Sequence, residues 1–175
     1  KIIAQEYIKC AKDPAYFMRK YCHIQHPTRG RILFNLYPFQ DKILHLFRDE
    51  QYIITLKSRQ LGISTLAAAY SLWLMLFHKD KNILALATTQ ATARNLVTKV
   101  IFMYDELPKW LKLPSVEKNK LSLRLKNGSK VQAKSSSPDA ARSEAVSLLL
   151  MDEAAFIDNV DDTFTAAQQT LATGG

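Results

Sequence analysis

Two stretches of this chain could do phosphoryl chemistry together: Lys57-Ser58-Arg59-Gln60-Leu61-Gly62-Ile63-Ser64-Thr65, and Leu148-Leu149-Leu150-Met151-Asp152-Glu153. A glycine-turned loop between an apolar strand and a helix presents backbone N–H groups to a phosphate, and paired carboxylates at the end of a second strand can hold magnesium and take a proton from water. These are the two halves of an ATP-hydrolysing P-loop site. The loop departs from the pattern G-x-x-x-x-G-K-[ST], which places a lysine after its second glycine to reach the β- and γ-phosphates. Ile63 stands there instead, and Lys57 stands at the first glycine position.

The backbone N–H groups of Leu61, Gly62, Ile63, Ser64 and Thr65 can still point at an anion, because that capacity does not depend on side chains. What Ile63 removes is one cation. Lys57, at the base of the loop, could fold its ammonium over the phosphates from the other end, and Arg59 is a second candidate. Ser58 and Gln60 complete the loop. Ser64 keeps the hydroxyl expected on magnesium, Asp152 the carboxylate that would hold the metal through water, and Glu153 the base for the attacking water. Plainer assignments also fit: Lys57 as a solvated strand end, and the two carboxylates as caps of a following helix.

The elements that must position these residues read as an α/β domain. Residues 52–56 are β-branched and apolar, as in a buried strand, and 64–78 form an almost unbroken apolar helix. Residues 82–87 read as the next parallel strand and 90–107 as its crossover helix, with Thr88-Thr89-Gln90 between them either touching a ligand or capping the helix. Segments 121–125 and 130–133 alternate around Asn127-Gly128, a hairpin by its turn chemistry. The polar run Lys134 to Arg142 then leads to the carboxylate strand, 147–151. Alternation of strand and helix predicts a largely parallel sheet with right-handed crossovers, flanked by helices. Upstream, helices are expected over 2–11 and 14–21, then a loop over 26–30, a strand over 31–36 and a helix over 38–47 with Pro38 in its first turn. Residues 1–35 would thus be a short appendage, and 36–175 the core.

Composition narrows the partners. The chain has 175 residues, with 24 Lys and Arg against 16 Asp and Glu, a formal charge of +8 that suits a polyanion such as nucleic acid. No apolar stretch is long enough to span a bilayer without a charge or a turn, so no membrane partner is expected. The chain opens on Lys1, with no signal-peptide pattern, and reads as a fragment of a cytoplasmic protein. Cys10 and Cys22 are too few for a disulfide framework, and with His23 and His26 they match no common zinc-finger spacing. Both cysteines are expected on buried helix faces and both histidines at the surface. Gln40, preceded by Tyr37-Pro38-Phe39, has an amide that could match the edge of adenine.

In order and spacing, Leu36-Tyr37-Pro38-Phe39-Gln40, Ser58-Arg59-Gln60-Leu61-Gly62, Ser137-Pro138-Asp139-Ala140-Ala141-Arg142 and Met151-Asp152-Glu153-Ala154-Ala155-Phe156-Ile157 resemble the ATPase domain of the large terminase subunit of tailed bacteriophages, in its T-even-like group. The resemblance implies a RecA-like, additional-strand P-loop core that hydrolyses ATP with Mg2+ to drive double-stranded DNA into a procapsid. It implies Gln40 at adenine, Ser64 and Asp152 at magnesium, and Glu153 at water. Arg59 matches an arginine finger acting in its own subunit and Arg142 one reaching a neighbouring subunit, and the residues do not choose between them. Some relatives carry their lysine at the start of the loop, as Lys57 is here. Implied partners are DNA, the portal protein, the small terminase subunit and like subunits in a ring of five. The implied location is the host cytoplasm, transiently on the procapsid portal and not in the mature virion. The family's nuclease domain has no counterpart in these residues, so no DNA cleavage and weak hydrolysis in isolation are expected. Two other readings remain open: a DExx-type helicase ATPase, and an inactive P-loop fold that serves as a DNA-binding module.

Overall fold

The computed structural model describes residues 2–58, 60–137 and 145–171. Its organising element is a helix without a polar face. Ile63–Phe77 contains no charged residue, and it buries Ile63, Leu66, Ala67, Ala68, Ala69, Tyr70, Ser71, Leu72, Trp73, Met75 and Leu76. A helix apolar all round must be covered all round. Before it in the chain come α1 (Ile2–Lys12), α2 (Pro14–Tyr21) and α3 (Pro38–Asp49), so the Ile63–Phe77 helix is α4. Asp13 starts α2 by accepting the N–H groups of Ala15 and Tyr16 at 2.8 and 3.1 Å, with Pro14 in the first turn. Packing of α2 and α3 on α4 draws the first 35 residues into the main core, where Cys10, Phe17, Met18 and Cys22 are all fully buried. Phe77 packs in edge-type arrangements with Tyr7 and Phe17, ring centroids 5.1 and 5.5 Å apart.

Between α2 and α3 lies an antiparallel hairpin, β1 (His23–His26) and β2 (Gly30–Leu33). The expected loop over 26–30 is its turn, and the expected strand over 31–36 is shorter and preceded by a partner strand. His26 organises the turn, its Nδ1 accepting the N–H groups of Thr28 and Arg29 at 3.2 Å. A histidine in this role is not a turn signal that sequence patterns carry.

Beyond α4 the chain makes β3 (Asn82–Ala87), α5 (Gln90–Asp105), β4 (Ser115–Lys118), β5 (Ser122–Leu125), β6 (Lys130–Ser135) and β7 (Leu148–Met151), then a single 3-10 turn over Ala154–Phe156 and α6 (Val160–Leu171). Thr89 caps α5, accepting the Thr92 N–H at 3.1 Å. Five strands form one sheet in the order β4-β5-β6-β3-β7. β3 runs parallel to both β6 and β7, whereas β4–β5 and β5–β6 are antiparallel. The sheet is therefore mixed, not largely parallel: the Asn127-Gly128 hairpin, joined by β4, builds an antiparallel wing on one side. β3 lies between β6 and β7 and shows period two on its faces. Ile83, Ala85 and Ala87 face the main core, while Leu84 and Leu86 pack with Val146 and with Ala166 and Ala167 of α6.

Residues 52–56 form no strand. Tyr52 is half exposed, and Ile54 and Leu56 are fully exposed at 100% and 102%. Strand propensity of a β-branched run is mostly the packing it finds on neighbours; here Tyr52 meets Phe164 and Gln168 of α6, while Ile54 and Leu56 are left in solvent.

The β5–β6 turn does more than reverse the chain. Asn127 Nδ2 donates to the Met75 and His78 carbonyls at 2.8 and 3.1 Å, and Ser129 Oγ donates to His78 at 2.8 Å. These bonds satisfy carbonyls that the end of α4 leaves free.

Residues of α2 clip α1 in place through one carboxylate. Glu6 Oε1 accepts from Tyr16 Oη at 2.7 Å, Tyr21 Oη at 2.8 Å and Lys20 Nζ at 2.6 Å. Hydrogen bonds from Lys20, Tyr16 and Tyr21 hold its pKa down at about 2, and burial with the Glu6 charge pushes Tyr21 up to about 12. Because folding lowers the Glu6 pKa from 4.5, its contribution to stability is complete above that value and is lost as pH falls through about 2. Thermal unfolding of the Glu6→Gln variant is expected to vary less with pH across that window than unfolding of the parent; identical pH profiles would show that the clip carries no stability.

Candidate functional site

The first turn of α4 and the end of β7 meet at the C-terminal edge of the sheet. Asp152 continues the pairing of β7 with β3, its N–H donating to the Leu86 carbonyl at 3.0 Å. Its carboxylate then reaches α4: Ser64 Oγ donates to Asp152 Oδ2 at 2.8 Å, joining residues 88 apart in the chain. The other oxygen, Oδ1, accepts the Glu153 N–H at 3.1 Å and lies 3.9 Å from Lys57 Nζ. Lys57 and Asp152 are 31% and 30% exposed, so this long ion pair is weak and easily exchanged for another partner. Glu153 follows in the left-handed region at φ 53°, exposed to solvent. A non-glycine residue there is uncommon, and the turn it makes swings the chain away from the strand.

The loop before α4 is equally bent. Gln60 and Gly62 both have positive φ, 65° and 72°, so the backbone reverses twice within three residues before the helix starts. Successive N–H groups in such a bend form an anion-binding concavity, which the positive end of the helix reinforces. A cleft of about 180 Å3 opens there, lined by Lys57, Gln60, Leu61, Gly62, Ile63, Ser64, Thr65 and, from α5, Lys99. Ile63 lines it at the start of the helix but is only 8% exposed and belongs to the apolar interior. Sequence reasoning missed Lys99, because nothing in the pattern of α5 marks one lysine as facing a loop on another element.

Gln40 holds this loop from outside. It is 1% exposed; its Oε1 accepts the Tyr37 N–H and its Nε2 donates to the Leu61 carbonyl, each at 3.0 Å. One amide thus closes the first turn of α3 and ties that helix to the loop. Tyr37 and Phe39 stack beside it, centroids 5.7 Å apart and planes 9° from parallel. Ser58 is exposed at the loop's start. Arg59 and Arg142 lie outside the described residues.

The donors gathered here fit magnesium. A hydroxyl and a carboxylate already in contact are hard oxygen ligands of the kind that metal takes alongside waters and phosphate oxygens.

Gly62 is required twice, for its backbone angle and for space: a Cβ at that position would stand 2.8 Å from Gln40 Nε2. The Gly62→Ala variant is expected to lose about 2 kcal/mol in urea unfolding from the left-handed angle and the displaced amide. The loss should be smaller in a Gln40→Ala background, since the clash is then gone. Equal losses in both backgrounds would separate the glycine from the amide.

Comparison with known proteins gives this geometry a family. The model of the family described as terminase large subunit, T4likevirus-type, N-terminal, matches residues 54–175, which include the loop, Ser64, Asp152 and Glu153. In three dimensions the chain is similar to the large terminase of bacteriophage HK97, with a TM-score of 0.70 and 20% identity over 91% of this chain. That likeness shows a shared fold, and the chain spans only 35% of the HK97 protein's length. By the match over most of its length, the chain belongs to the T4likevirus-type terminase large subunit family, in its N-terminal part.

Proposed function

We propose that this chain is the ATPase motor domain of a terminase large subunit, a RecA-like P-loop unit that hydrolyses ATP to drive double-stranded DNA into a procapsid. The observation that carries this reading is the 2.8 Å bond between Ser64 and Asp152, at the mouth of a loop that aims backbone N–H groups and a helix N-terminus into one cleft. Hydroxyl and carboxylate pairs of this kind hold the Mg2+ of phosphoryl-transfer enzymes, where the metal neutralises charge on the β- and γ-phosphate oxygens. Ser64 and Asp152 would hold it here. Lys57 would leave its long pairing with Asp152 for the phosphates, taking the part of the lysine absent at position 63. Glu153, exposed at the end of β7, would accept a proton from the attacking water. Arg59 or Arg142 would stabilise charge on the transferring group. Gln40, buried with both ends of its amide bonded, would set the shape of the loop through the Leu61 carbonyl and is not free to read adenine. DNA, the portal protein, the small terminase subunit and a ring of like subunits are the partners this function calls for, in the host cytoplasm and on the procapsid. The net charge of +8 is consistent with a DNA partner.

Calorimetric titration with Mg·ATP tests the site directly. Lys57→Ala is expected to weaken binding by about tenfold, or about 1.4 kcal/mol. Asp152→Asn should abolish the advantage of Mg·ATP over metal-free ATP. A parent chain that binds no nucleotide, or one whose affinity ignores both substitutions, would sink the proposal.

A further inference from the structure

If the loop is a nucleotide-phosphate site, as proposed above, it lacks a cation that its own chain segment cannot restore. Ile63 is 8% exposed and packed into the interior, so the position after Gly62 is committed to the core. Lys57 supplies one positive charge from the base of the loop, shared with Asp152 at 3.9 Å.

A second cation enters the same cleft from a different element. Along α5 the buried residues are Ala93, Leu96, Val97, Val100, Met103 and Tyr104. Lys99 borders this face, three residues after Leu96 and next to Val100, and is itself only partly exposed. Helix α5 packs against α4, and Lys99 lines the loop cleft together with residues 60–65. Two lysines further along the chain have clear employment: Lys118 bonds both Asp105 carboxylate oxygens at 2.9 and 3.0 Å, and Lys112 sits over the Tyr104 ring and 3.6 Å from Asp105. Lys99 has neither a hydrogen bond nor an ion pair among the described residues. An ammonium without a counter-charge, carried on a flexible four-carbon stem, can move toward any anion that arrives.

We propose that Lys99 is a second phosphate-binding cation of this site, supplying from α5 the charge that Ile63 cannot. Lys57 and Lys99 then approach a polyphosphate from two separate elements, with the backbone of the loop between them. Their combined field would favour the more highly charged nucleotide.

The test is calorimetry on the chain with Mg·ATP, Mg·ADP and AMP, comparing the parent with Lys99→Met, which keeps the aliphatic stem, and Lys99→Arg, which keeps the charge. Lys99→Met is expected to weaken Mg·ATP by about tenfold, the scale of one lost charge-assisted hydrogen bond, and to leave AMP unchanged. Lys99→Arg should stay close to the parent, and the thermal midpoint of both variants should match it. If Lys99→Met binds Mg·ATP as the parent does while Lys57→Ala does not, the phosphate site stands and Lys99 is no part of it. Equal weakening of ATP and AMP with a lowered midpoint would make Lys99 a packing residue and overturn the proposal. A parent that binds no Mg·ATP removes both readings together.

Discussion

Everything in this fold is arranged around the need to cover α4. A fifteen-residue helix with no charged side chain cannot tolerate a wet face, and large side chains such as Leu66, Leu72 and Met75, all 0% exposed, each gain roughly 1.5–3 kcal/mol by leaving water. The few polar atoms it carries are answered individually. Trp73 Nε1 donates to the Cys10 carbonyl at 2.9 Å, Tyr70 Oη to Phe47 at 3.1 Å, and Ser71 Oγ back to Ala67 within the helix at 2.8 Å. Those bonds bring α1 and the end of α3 onto the helix. The N-terminal helices are for this reason part of the core that fixes the loop, and the site inherits its rigidity from packing some distance away.

The loop itself is held by polar contacts of a different kind. Ser64 meets Asp152, Lys57 leans toward the same carboxylate, and Gln40 grips Leu61 from α3. Two elements that are remote in sequence, α3 and the end of β7, therefore converge on this loop and the first turn of α4. A charged ligand entering the cleft would compete for Asp152 and Lys57, which are partly exposed and weakly paired, but not for Gln40, which is buried with both ends of its amide bonded. The movable and fixed parts of the site are thus chemically distinct.

Much of this was legible from residue types. Asn127-Gly128 is a local signal whose chemistry is complete within a few residues, and the β5–β6 turn stands where that signal puts it; the helix expected over 14–21 likewise stands there as α2. The apolar length of α4 and the run of β3 were equally plain. The misreadings share one cause, dependence on partners distant in sequence. Residues 52–56 look like a buried strand because every side chain suits one, yet no neighbour among the described residues pairs with them. β4 is wholly exposed and exists only because β5 lies beside it, and α6 is recognised as a cover for Leu84 and Leu86 only once the second face of β3 is seen. Lys99 belongs with these: its chemistry is ordinary, and only the packing of α5 on α4 brings it to the loop. At the site, the match of Ser64 to Asp152 could be anticipated from spacing, whereas the double attachment of Gln40 could not.

The bonds from Asn127 and Ser129 to the last carbonyls of α4 have a further meaning when set beside Ser64 at the first turn. The helix is pegged at both ends, to the β5–β6 turn at one and to β7 at the other, and both pegs belong to the same sheet. Adding or removing a single residue anywhere along α4 would rotate one end by about 100° relative to the other, turning Ser64 away from Asp152 or the Met75 and His78 carbonyls away from their donors. Side chains within the helix can exchange for others of similar volume, but its length is fixed, and insertions have to find room in other segments.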